Sequence, residues 1–223
     1  MRASRCIYCG TPDARTMDHV PPRAIFPDKL PAEVRMVTAP ACTVCHKENQ
    51  KDDATIRNLL ISAEDVEQHP TIVRELGGKR DRGFKRSLKF PEGDLQRLLS
   101  TVKIVERKTP DGIYIGKDWA FDYDNPVMNR FVRRLGRALL HFEFDQEYFE
   151  GQFRWRMNLE TPAIVYEGLA AHGKVRKVTD EFSYGVTALK GAGPAWVVTN
   201  FYGRTEFLIR IKAGEQDTPS SGG

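Results

Sequence analysis

Apolar positions follow helical spacing most clearly over 125–144, where Met128, Phe131, Val132, Leu135, Leu139 and Phe142 recur at intervals of three and four. That stretch predicts an amphipathic helix. From residue 153 the pattern changes to short runs rich in Val, Ile, Phe and Thr, punctuated by Gly and Pro. These runs predict strands at 153–159, 163–167, 181–189, 195–201 and 205–212, forming a mostly antiparallel sheet. Upstream, 15–20 reads as a short strand ended by Pro21-Pro22, and the chain from Val44 onward reads as a helix start. Segments 52–62 and 65–76 have helical patterning, with Gly77-Gly78 expected to close the second. Segment 91–100 is expected to be helical. Runs at 102–107 and 112–115 predict a hairpin across Thr109-Pro110-Asp111-Gly112. Trp119, Trp155 and Trp196 read as core or sheet-packing residues. The fold class expected is α+β: an N-terminal module (1–62), a helical and basic linker (63–100), an α+β accessory domain (101–213) and a disordered Gly/Ser/Pro-rich tail (214–223).

Composition narrows the class. With 40% hydrophobic residues in 223, the chain has material for a packed core and is no disordered basic tail. No apolar run approaches the roughly 18–20 residues of a membrane span, and the first residues carry no apolar leader, so a soluble, cytoplasmic protein without a membrane partner is expected. The net charge of +4 is small but uneven. Residues 74–89 hold seven Lys or Arg against two acids, a net +5, and read as a mobile basic loop suited to a phosphate backbone. Within the 125–144 helix, Arg130, Arg133, Arg134 and Arg137 form a second stripe. Lys79, Arg80, Arg82, Lys85, Arg86 and these four arginines are therefore candidate nucleic-acid contacts. The alternatives are a solvated loop, and pairing of the stripe with Glu143, Asp145, Glu147 and Glu150.

Four cysteines lie in the first quarter as Cys6-Ile7-Tyr8-Cys9 and Cys42-Thr43-Val44-Cys45. Two C-x2-C turns supply four thiolates to one tetrahedral metal, which points to structural zinc; disulfide or redox chemistry is the alternative. The 32 residues between the pairs exceed the spacing of a plain zinc ribbon. They contain Met17-Asp18-His19-Val20-Pro21, and His46 follows the last cysteine directly. On a helix beginning near Cys45, His46, Asn49, Gln50 and Asp53 share a face.

Over residues 6–55 this order resembles the HNH endonuclease family with its ββα-metal fold: C-x2-C, Asp-His before a proline, then C-x2-C-His opening a helix. The resemblance implies that His19 is the general base and that Asp18 and His46 hold a catalytic Mg²⁺ or Mn²⁺, with Asn49 as a possible replacement or helper for His46. The four cysteines would hold a zinc that sets the geometry. The family's middle Asn, which braces the base, has no counterpart in Arg35–Ala41; Thr38 is the residue there with a hydroxyl to offer. The function implied is metal-dependent hydrolysis of double-stranded DNA. The alternatives are a non-catalytic zinc-stabilised nucleic-acid-binding module and an adaptor that takes a protein partner on its C-terminal domain. Target and oligomeric state are not legible in the sequence.

Overall fold

Strands β1 (Thr16–His19) and β2 (Thr38–Ala41) pair antiparallel, with Asp18 opposite Ala39 and His19 opposite Thr38. The computed structural model describes residues 5–63, 66, 68–89, 93–122, 125–146, 152–157, 161–188 and 194–212. Outside these fall Asp65, Pro91, Glu147, Glu150, Leu159, Leu189 and the tail expected to be disordered.

Helix α1 (Thr43–Ile61) is one continuous element spanning both helical signals of that region. Its N-cap is Cys42, whose sulfur accepts from the Cys45 N–H at 3.4 Å, so a prospective metal ligand also satisfies an orphan donor of the first turn. Ile56, Leu59, Leu60 and Ile61 are fully buried and fix the far end.

The basic segment is not a loop. A π-helical stretch (Ile72–Leu76) runs directly into α2 (Gly77–Ser87), through the glycine pair expected to stop it. Gly77 has right-handed helical dihedrals and donates to the Ile72 carbonyl; a Cβ there would come within 3.0 Å of that oxygen. Glycine thus permits the widened turn. Burial of Ile72 and Leu76 outweighs the low helix propensity of the pair.

After α3 (Asp94–Leu99), strands β3 (Val102–Lys108) and β4 (Tyr114–Phe121) form a separate two-stranded ribbon, longer on its second arm than the pattern predicts. Trp119 lies on this ribbon and is 73% exposed, so it is not a core residue.

Helix α4 (Pro126–Phe144) matches its prediction within one residue, capped by the Asn125 side chain and stopped by Asp145 in the left-handed conformation. It covers one face of a five-stranded antiparallel sheet of order β5-β9-β8-β7-β6: β5 (Gln152–Met157), β6 (Gly173–Lys177), β7 (Phe182–Thr187), β8 (Ala195–Phe201) and β9 (Thr205–Lys212). Phe131 meets Phe201 and Phe207 at ring separations of 5.9 and 6.3 Å. One buried cluster runs unbroken from Ile7, Val20 and Phe26, through α1 and α4, to the sheet.

The run at 163–167 is helical, not extended. It begins α5 (Ala163–His172), on the sheet's other face, and β6 follows where no strand is predicted. Short apolar runs do not distinguish helix from strand. Here Val165 and Leu169, one turn apart, bury together against Val198 and Leu208.

Glu143, at the end of α4, has a side chain only 1% exposed. It accepts from the Tyr184 hydroxyl at 2.6 Å and from Arg176, with the Lys174 ammonium 3.4 Å away. It therefore clamps α4 to β6 and β7 rather than pairing with the arginine stripe. Burial pushes its carboxyl up, but the bonds from Arg176 and Tyr184 outweigh this and hold it below the usual range. Glu143→Gln is expected to cost about 1–3 kcal/mol at pH 7. A lowered acid stabilises above its unfolded pKa of about 4.3 and loses that contribution as pH falls through the folded value. Urea midpoints of parent and variant should therefore converge below about pH 4. Among the described residues no helix is long and apolar enough to cross a membrane.

Candidate functional site

The Cys6-Ile7-Tyr8-Cys9 turn lies beside the start of α1, where the Ile7 N–H donates to the Pro40 carbonyl of β2 at 3.1 Å. The four cysteine sulfurs all lie within 4.8 Å of one another, and Cys9 and Cys42 are 3.8 Å apart. That is the edge of a tetrahedron with metal–sulfur bonds of about 2.3 Å, and far beyond a disulfide bond. All four are free thiols. Burial pushes Cys6 and Cys45 up, whereas the hydrogen bond shared with the Thr11 hydroxyl brings Cys9 down to about 6. A bound cation deprotonates such a set outright. The cluster fits a structural metal such as zinc.

A second cluster is built around Asp18, which is 1% exposed and points from β1 toward α1 and α4. One carboxylate oxygen accepts from the Tyr8 hydroxyl at 2.7 Å and the Asn49 amide at 2.9 Å. The other accepts from Arg134 at 2.8 Å and lies 3.3 Å from His46 Nδ1. That last pair is close but not aligned as a hydrogen bond, so His46 Nδ1 is a buried nitrogen without a partner. The Gln50 amide meets the other ring nitrogen at 3.0 Å and steadies the ring.

Arg134 supplies the positive charge at the centre. Only 5% exposed, it also donates to Asp53 at 2.6 Å and to the His19 carbonyl at 2.9 Å. Burial acts to lower its pKa, but Asp18 and Asp53 outweigh this and raise it. Asp53 is pushed up by burial against the pull of Arg134. Tyr8 is likewise raised, by burial first and by Asp18 second, and stays a donor.

His19 takes the opposite face of β1. It is exposed, and its cross-strand neighbour is Thr38, on the same face of the hairpin. Asp18 and His46 are thus brought together, Asn49 joins them, and His19 with Thr38 forms a separate solvent-facing pair.

Most of the arginine stripe is committed internally. Arg130 makes a two-pronged bond to Asp52, at 2.7 and 2.9 Å, and Arg137 donates to the Tyr8 carbonyl at 2.7 Å. Arg133 and Arg137 lie 5.7 and 5.5 Å from the centre of the Phe153 ring. On α2, Lys79 pairs with Asp28 and Glu75, and Arg80 with Asp81 and Ser62. Arg82, Lys85 and Arg86 are exposed on one face at i, i+3 and i+4. Tyr8 and the bridging role of Arg134 escape the sequence reading, which places Asp53 on the His46 face of the helix and gives it no role. The signal available for them was charge matching between Asp52-Asp53 and the arginine stripe.

The chain matches no family model, no curated protein and no solved structure.

Proposed function

We propose that the chain is a metal-dependent HNH-type endonuclease that hydrolyses DNA phosphodiester bonds. The observation that carries this reading is convergence: Asp18 from β1 and His46 from α1 approach to 3.3 Å beside a four-cysteine cluster, with His19 next in the chain and open to solvent. The donor set suits a divalent cation, since two carboxylates and an orphaned imidazole nitrogen surround one point of positive charge. Asp18 and His46 would hold the cation, with Asp53 alongside. When bound, it offsets charge on the phosphoryl oxygens and the departing 3′ oxygen.

The remaining work falls to the protein. His19 takes the proton from the attacking water, a task open to an exposed imidazole once the end of β1 turns its ring toward the Asp18 side. Thr38, directly across the hairpin, would steady that ring through its hydroxyl. Asn49 and Tyr8 hold the Asp18 carboxylate in one orientation. The open basic face of α2 offers Arg82, Lys85 and Arg86 to the DNA backbone.

Arg134 favours a second reading. A guanidinium already neutralises Asp18, as in a non-catalytic nucleic-acid-binding module. The two readings separate on supercoiled plasmid. The enzyme nicks it only when Mg²⁺ or Mn²⁺ is added; the binding module retards it at low salt and leaves it intact under every metal.

A further inference from the structure

The face of the sheet that α5 only partly covers carries a second concentration of positive charge. On adjacent strands β5, β9 and β8, Arg154, Arg210 and Trp196 stand in one cross-strand row. Arg156 lies two residues along β5, opposite Leu208. These residues line a cavity of about 540 Å³, within the range of small-ligand sites.

Three features distinguish this patch from an ordinary solvated surface. Arg154 and Arg210 are directly opposite in register, an arrangement of like charges that costs stability unless an anion lies between them. Among the described residues the cavity lining contains no carboxylate, and the side chains of Arg154 and Arg156 have no ion-pair or hydrogen-bond partner. By contrast, Arg130, Arg134 and Arg176 all find acids. Arg210 is held with its guanidinium 5.7 Å from the centre of the Trp196 ring, and its Nε is buried without a partner. The wall is rigid: the Trp155 indole N–H donates to Asn129 of α4 at 2.7 Å.

We propose that this cavity binds a nucleoside phosphate unit, with Arg154 and Arg156 taking the phosphate and the Arg210–Trp196 stack taking the base. Two unpaired guanidinium groups lining one cavity match the several oxygens of a phosphate, and an arginine stacked on an aromatic ring offers a flat surface to a base. The unit is either a free nucleotide or one residue of a single strand. This site shares no residue with the Asp18 cluster and does not depend on the nuclease reading.

The test is equilibrium binding at low salt, followed by fluorescence anisotropy with a labelled oligo-thymidine strand and by dialysis with thymidine 5′-phosphate. Inorganic phosphate is the control. The parent is expected to bind at least one of the two nucleotide probes, and which one it binds identifies the source. Inorganic phosphate should bind more weakly. The double variant Arg154→Glu/Arg156→Glu changes two exposed side chains and should keep the fold, checked by circular dichroism. It should lose about tenfold or more in affinity for the probe that binds. Three results overturn the proposal: no binding of either nucleotide probe, inorganic phosphate binding as tightly as the nucleotide, or equal affinity in parent and variant.

Discussion

Replacing Cys42 with serine is expected to unfold the N-terminal region and abolish metal binding at the four-sulfur cluster. The sulfur of Cys42 takes part in two features at once: the four-sulfur cluster and the N-cap of α1, through the Cys45 N–H. Structural zinc in small thiolate sites supplies about 10–16 kcal/mol of apparent folding free energy, comparable with the roughly 5–15 kcal/mol that stabilises a whole domain. The damage should spread, because Ile7 and Val20 belong to the same buried cluster as α4 and the sheet. Metal content by mass spectrometry and helical ellipticity should fall together. The same loss should follow a strong chelator added to the parent. A Cys42→Ser variant that is metal-free yet fully folded would remove the structural-metal claim.

Arg134→Met is expected to cost about 3–5 kcal/mol, the usual price of stranding buried charge. It leaves Asp18 and Asp53 without their shared cation, and the His19 carbonyl without its donor. Urea unfolding measures the loss, and its pH dependence has a definite sign. Asp53 is already raised by burial, and without Arg134 it rises further. An acid whose folded pKa exceeds its unfolded value binds protons preferentially in the folded state, so the variant should regain stability as pH falls toward about 4. Mn²⁺ should stabilise this variant more than the parent, since two carboxylates and the orphaned His46 nitrogen then lack a cation. Equal effects of Mn²⁺ on both proteins would show that Arg134 does not occupy a cation position.

These effects also show which parts of the molecule are legible in its residues. Helix α4 follows its pattern closely because it spirals its apolar residues against one core, and strands β8 and β9 do so because their apolar runs bury both faces, Val197 and Ile209 in the main cluster and Val198 and Leu208 against α5. The Cys-x2-Cys pairs were legible because a tetrahedral thiolate site needs little beyond that spacing. Helix α2 was not, because glycine propensity is a local signal and the burial of Ile72 and Leu76 is a tertiary one. Helix α5 and strand β6 were missed for a related reason: the run at 163–167 has no period until its partners Val198 and Leu208 are known. The arginine stripe was visible, but not its destination. Its partners Asp18, Asp52 and Asp53 lie roughly eighty to more than a hundred residues earlier in the chain. Asp18 and His19 were visible as neighbours, and their opposite faces follow from the strand between them.

The most direct measurement is single-turnover cleavage of plasmid by parent and His19→Ala in saturating Mn²⁺, with both proteins first shown to hold equal amounts of tightly bound metal. His19 is exposed, so its removal leaves the core and the Asp18 cluster in place. Loss of a general base is worth about 10²–10⁴-fold, so a fall of that size is expected with DNA retardation unchanged. Cleavage by His19→Ala at the parent rate, or no cleavage by the parent in any metal, would contradict it.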